Sequence, residues 1–163
     1  MDVRMPGTVD WSALLPERTG VDLESLPWEA FVDAKGRDLG VRMKWVVSPV
    51  LGKNCMLLHL PANHRAAPHW HTSDTLYLVT KGELVIEGEG RFSPGQVRWI
   101  RGGLAYGSEG AGPEGCEFFF FSLGPYGQHD PDLEPPPLGR WDDRRGEGLL
   151  PASVIRPWRA NSM

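Results

Sequence analysis

The stretch HWHTSDTLYLVTKG, residues 69–82, decides how this chain is read. Its second half contains Thr-Leu-Tyr-Leu-Val-Thr at 75–80, a run of β-branched and aromatic residues that suits a pleated surface and has no helical period. Its first half carries His69 and His71, two positions apart with Trp70 between them. On an extended backbone, residues two apart point to the same face. Both imidazoles therefore project to one side of a strand, where they can reach a single metal ion.

The pattern repeats on both sides of this stretch. Residues 39–47 alternate Val41, Met43, Trp45 and Val47 against Arg42 and Lys44, and residues 54–60 follow a turn at Gly52. Lys81-Gly82 reads as a turn, 83–87 as a strand and 88–90 as a second turn. Ser93-Pro94-Gly95-Gln96 has the type II pattern, in which proline fixes φ and glycine supplies positive φ. Residues 96–100 form the next strand, Gly102-Gly103 ends it, and 116–123, with four consecutive phenylalanines, reads as a strand buried on both faces. About seven short strands joined by glycine and proline turns predict an all-β sandwich or barrel.

Composition limits the function classes. The chain has 163 residues, 40% hydrophobic and 23% charged, which is one soluble domain with a core of its own. A net charge of −4 offers phosphates no attraction, so nucleic acid is not an expected partner. The longest apolar run, 118–121, is far too short to cross a bilayer, and residues 1–10 have no signal-like apolar stretch, so a cytoplasmic protein with no membrane partner is expected. Cys55 and Cys116 lack CxxC spacing and sit among apolar residues, as buried free thiols of a reducing compartment do. There is no GxSxG elbow and no phosphate-cradling glycine loop.

Three segments follow from this reading. Residues 1–38 are an N-terminal arm whose Trp11, Leu14, Leu15, Leu23, Leu26, Trp28 and Phe31 call for packing on the barrel or on a second subunit. Residues 39–124 are the barrel. Residues 125–163 are a proline-rich tail in which Trp141, Leu149, Leu150, Val154, Ile155 and Trp158 suit an extended arm docked on the barrel.

The spacing of the histidine pair resembles a known family. His69-Trp70-His71, the gap 72–75, then 76–81 and Gly82 look like the first motif of the cupins. Gly95, then 96–100, then Arg101-Gly102-Gly103-Leu104-Ala105-Tyr106 look like the second. The resemblance covers roughly 39–124 and implies a double-stranded β-helix, a jelly-roll-like barrel, around a small-molecule cavity. It also implies a divalent metal (Fe, Zn, Ni or Mn) and a homodimer. Position by position, His69 and His71 match the first two metal ligands, Thr75 stands at the glutamate position and Tyr106 at the second-motif histidine. Arg101 and Asn63 also depart from the pattern.

Two of four ligand positions are thus changed. A threonine hydroxyl is a weak ligand, and a tyrosine must lose a proton to become a good one. Asp74 is the nearest carboxylate in sequence and a candidate third ligand, provided the strand begins after it; on a regular strand it points away. Tyr106 is read as a cavity acid/base or hydrogen-bond donor, with Thr75, Tyr77 and Trp99 as substrate-contacting residues. His59 reads as a hydrogen-bonded structural histidine, His64 as a residue of the barrel mouth and His129 as structural or exposed. The expected activity is a metal-dependent reaction of dioxygenase, lyase or isomerase type on a small carbonyl or phenolic substrate. The alternative is a non-catalytic ligand-binding or sensor cupin with a degenerate metal site.

Overall fold

The computed structural model describes residues 20–32, 36–47 and 54–140. Trp11, Leu14, Leu15 and the apolar residues from Trp141 onward lie outside the described residues. Among the described residues, a 3-10 turn at Leu23–Ser25 is followed by nine strands: β1 Glu29–Val32, β2 Asp38–Val47, β3 Asn54–Leu60, β4 Trp70–His71, β5 Thr75–Ile86, β6 Gly90–Phe92, β7 Val97–Ile100, β8 Glu109–Ser122 and β9 Gln128–His129. All pair antiparallel. The main sheet runs β1-β2-β3-β8-β5-β6 with β7 also on β5, and β4 pairs with β9 in a small second sheet.

Two long strands, β5 and β8, carry the architecture. They pair from Thr75↔Ser122 to Ile86↔Glu109, with register shifts between Val79 and Lys81 and between Gly82 and Leu84. Lys81-Gly82, read from sequence as a turn, is therefore a bulge inside a continuous strand. Gly82 has φ +63°, and a Cβ there would overlap the Gly115 carbonyl oxygen; Gly115 is also left-handed at φ +80°. A pair of glycines lets the two strands bend together, which a flat ladder does not permit. For the same reason β8 starts at Glu109, well before Cys116.

Period two places the core. Tyr77 and Val79 of β5 face inward with Phe118 and Phe120 of β8, joined by Leu84, Ile86, Met56, Val41 and Ile100. Phe119 and Phe121 are half-buried on the opposite face, so the phenylalanine run alternates and is not buried on both sides. Removing a side chain as enclosed as Phe118 costs about 3–5 kcal/mol. The turn at Ser93–Gln96 forms as expected, with Gln96 N–H donating to Ser93 O at 3.0 Å and Gly95 at φ +85°. Cys55 and Cys116 are both free and buried.

Candidate functional site

His71 belongs to β4, and His69 bridges Tyr106 just before it: Tyr106 N–H donates to His69 O at 3.1 Å. These short pairings bring the two sequence motifs together at one end of the barrel. They open on a cavity of about 70 Å³ whose lining includes the apolar Val41, Met56, Leu58, Leu60 and Phe120 together with His64, His69, His71, Tyr77, Glu109 and Gln128. That is well below the roughly 300–1,000 Å³ of drug-sized sites, so a ligand of few heavy atoms fits it.

Both imidazoles are held in one tautomer. His69 Nδ1 lies 3.0 Å from Ala67 O and His71 Nδ1 lies 3.1 Å from Gly127 O. A carbonyl oxygen only accepts, so each Nδ1 carries a proton, and in the neutral ring each Nε2 presents a bare lone pair. Both lone pairs converge on the Tyr106 hydroxyl, at 2.6 Å from His69 and 3.1 Å from His71. The same oxygen is 2.6 Å from the Tyr77 hydroxyl and donates at 3.3 Å toward Glu109 Oε2. Glu109 Oε2 stands 3.9 Å from His69 Nε2.

Burial pushes both phenols well above their ordinary value, with the mutual effect of Tyr77 and the charge of Glu109 adding to it at Tyr106. Tyr106 therefore keeps its proton. Two phenolic protons, those of Tyr106 and Tyr77, serve three acceptors, two imidazole nitrogens and a carboxylate, with Tyr77 bonded to both Tyr106 and Glu109. Burial, then the neighbouring His69, hold the His71 imidazole well below its usual value, so it does not readily supply a third. Behind the two phenols lies Arg98, its guanidinium 4.2 Å from the Tyr106 ring centre and 5.0 Å from that of Tyr77. Burial disfavours that charge, but bonds of 2.6 and 2.7 Å to Glu89 hold it in place.

Of the residues singled out in the sequence, His69, His71, Tyr77 and Tyr106 are brought together. Three are not. The strand does begin at Thr75, yet Asp74 turns to the loop, where its Oδ1 accepts from Gly102 N–H at 2.8 Å. Thr75 is fully enclosed in the core beyond the cavity, and its hydroxyl has no hydrogen-bond partner among the described residues. Trp99 is 57% exposed on the outer face, because Arg98 takes the inward position of β7. The site's carboxylate is instead Glu109, at the start of β8. Sequence reasoning missed it, since it lies outside both motifs; its position three residues after Tyr106 was the available signal. His64 also lines the cavity.

Residues 16–126, more than half of the chain, match the family model of the ChrR cupin-like domain. The chain belongs to that cupin family. Among solved structures, an RmlC-like cupin from Ralstonia eutropha is similar at 22% identity and TM-score 0.59, covering 71% of this chain and 74% of its own. An acetylacetone dioxygenase from Acinetobacter johnsonii is similar at 19% and 0.56, covering 81% and 87%. A chain of the Rhodobacter sphaeroides complex of SigE with the anti-sigma ChrR is similar at 22% and 0.51, covering 62% and 51%. At these identities the likeness is one of fold. No curated protein matches the sequence. For this cupin, the barrel is thus established by family and by structure together.

The donor set can be tested against the metal that cupin relatives suggest. Two neutral imidazole nitrogens and one carboxylate are the ligand types of a two-histidine, one-carboxylate site, suited to Fe, Zn, Ni or Mn. Among the described residues, no three His, Cys, Asp or Glu side chains are spaced to share one ion as they stand. The Tyr106 hydroxyl occupies the point where the two nitrogens converge. The chemistry of the donors fits; their use requires Tyr106 to join the set or to move aside.

Proposed function

We propose that this cupin is a divalent-metal-dependent enzyme acting on a small carbonyl or phenolic compound, with His69, His71 and Glu109 as the residues that hold the metal. The observation that carries this reading is the surplus of acceptors. Three buried acceptor groups share two phenolic protons, and among the described residues the Glu109 carboxylate has no lysine or arginine partner. Buried lone pairs without donors are costly, and a cation relieves all three at once. When bound, such an ion supplies Lewis acidity toward a carbonyl or enolate, or a site for dioxygen chemistry. The chain's own contributions are separate. Tyr106 holds a proton within reach of a bound oxygen atom, Tyr77 fixes the Tyr106 hydroxyl, and the apolar wall around Phe120 and Leu60 excludes water. A homodimer in the cytoplasm completes the reading, in keeping with two free buried thiols.

Metal analysis of purified protein, followed by anaerobic iron reconstitution, tests it. About one metal per chain is expected, abolished in His69→Ala and His71→Ala and reduced in Glu109→Gln. Protein that stays metal-free after metal-supplemented expression and reconstitution overturns it. A second reading, a ligand-binding cupin without turnover, is favoured by the placement of the Tyr106 hydroxyl between the histidines. It predicts thermal stabilisation by small diketones or phenols that persists in chelator.

A further inference from the structure

The family match ends at residue 126, but the chain folds back over the site beyond it. β9 pairs Gln128 with His71 and His129 with Trp70. The Gly127 carbonyl accepts from Thr72 N–H at 3.1 Å and is also the partner of His71 Nδ1. A two-residue ladder is too short to hold itself. Side chains hold it instead. The His129 ring stacks on the Trp70 indole with centroids 4.0 Å apart and planes 19° from parallel. Its Nε2 meets Thr72 Oγ1 at 2.8 Å and its Nδ1 pairs with the Glu134 carboxylate. Trp70 Nε1–H donates to Glu134 O at 2.8 Å, so the same turn is fixed at both ends. At Gly127 a Cβ would overlap Thr72 Oγ1 and press on His129 Nε2, so the close approach requires glycine.

We propose that residues 127–134 form a positioning strap, clamped by His129, whose task is to hold the Gly127 carbonyl against His71 and so keep the His71 Nε2 lone pair aimed into the cavity. This deepens the functional reading above and rests on it for the use of that lone pair. His69 takes its orientation from Ala67, outside the strap, and serves as an internal control. An orienting partner of this kind is worth roughly 10–100-fold in metal affinity.

The test uses the full chain with 15N-labelled histidine, free of metal, and two-bond 1H–15N spectra assigned with His69→Gln and His71→Gln. In the unmodified protein both rings are expected as the Nδ1–H tautomer. In His129→Ala, His71 is expected to lose that preference while His69 keeps it, and Zn2+ affinity, read by competition with a chromophoric chelator, is expected to fall roughly 10–100-fold. His129 is partly exposed, so this variant leaves the core intact; Gly127→Ala is the second variant, with the same expected signature. An unchanged His71 tautomer in His129→Ala overturns the proposal, as does an equal change at His69. If the unmodified protein binds no Zn2+ but the selective tautomer change occurs, the positioning role stands and the metal reading falls.

Discussion

His71 is buried next to a second histidine, and both effects oppose its protonation. His64 is also held below its usual value, mainly by burial, against the attraction of Glu109. For each, the folded-state value lies under the 6.5 of a free imidazole, so the unfolded chain binds protons that the folded chain refuses. Stability from these groups is therefore complete above pH 6.5 and declines as pH falls below it, by up to about 1.4 kcal/mol per pH unit for the enclosed His71 and by less for His64, which water partly screens. Urea midpoints of metal-free protein are expected to drop between pH 7 and pH 5, and to drop less in His71→Asn. A flat profile contradicts the burial of the neutral rings. At this scale the histidine pair was legible, because a two-residue period needs only local extension. Glu109 was not: its approach to His69 depends on the His69↔Tyr106 bridge, which joins segments 37 residues apart. Nor was Arg98, since a charged residue between Val97 and Trp99 gives no local sign that it, and not the tryptophan, points inward.

The strands show where local pattern stops being informative. A Lys-Gly pair reads alike as a turn or as a bulge; what separates the two is the register against β8, in which Gly82 lies opposite Cys116 and against the Gly115 carbonyl. This contact gives a direct prediction. Gly82→Ala combines a left-handed φ with overlap on backbone that cannot easily yield, so a loss of about 2–4 kcal/mol is expected in urea unfolding. Gly95→Ala is the comparison: its φ is +85°, but nothing lies within 4 Å of the added carbon, so about 1–2 kcal/mol is expected. Equal losses at the two positions mean that backbone conformation alone matters and that the β5–β8 contact does not constrain the bend. The same bulge explains why the two long strands were read as shorter ones: each was cut at its glycine.

At the level of the molecule, the barrel was legible because turn chemistry, strand period and motif spacing agree, and none depends on long-range detail. The proposed dimer is different, since it needs a surface, and the outer face offers one where β5, β7 and β8 align Leu76 and Leu78 with Trp99, Val97, Phe121 and Phe119. Trp99 and Val97, at 57% and 53% exposure, crown an apolar strip three strands wide. Contiguous apolar surface of this kind marks an interface more often than bare surface. The family resemblance implies a homodimer, and for the dimer proposed above an apolar face of this kind suits an isologous contact with a second copy about a two-fold axis. A tryptophan central to such a contact contributes at least about 2 kcal/mol when replaced, and an inserted carboxylate adds a desolvation penalty to that. Light scattering coupled to gel filtration is therefore expected to give twice the 18.1 kDa chain mass for the unmodified protein and a single chain mass for Trp99→Glu, with the proposed metal site unaffected because Trp99 faces away from the cavity. An unmodified protein that runs at one chain mass at tens of micromolar removes the dimer, and a Trp99→Glu protein that stays dimeric moves the interface off this strip.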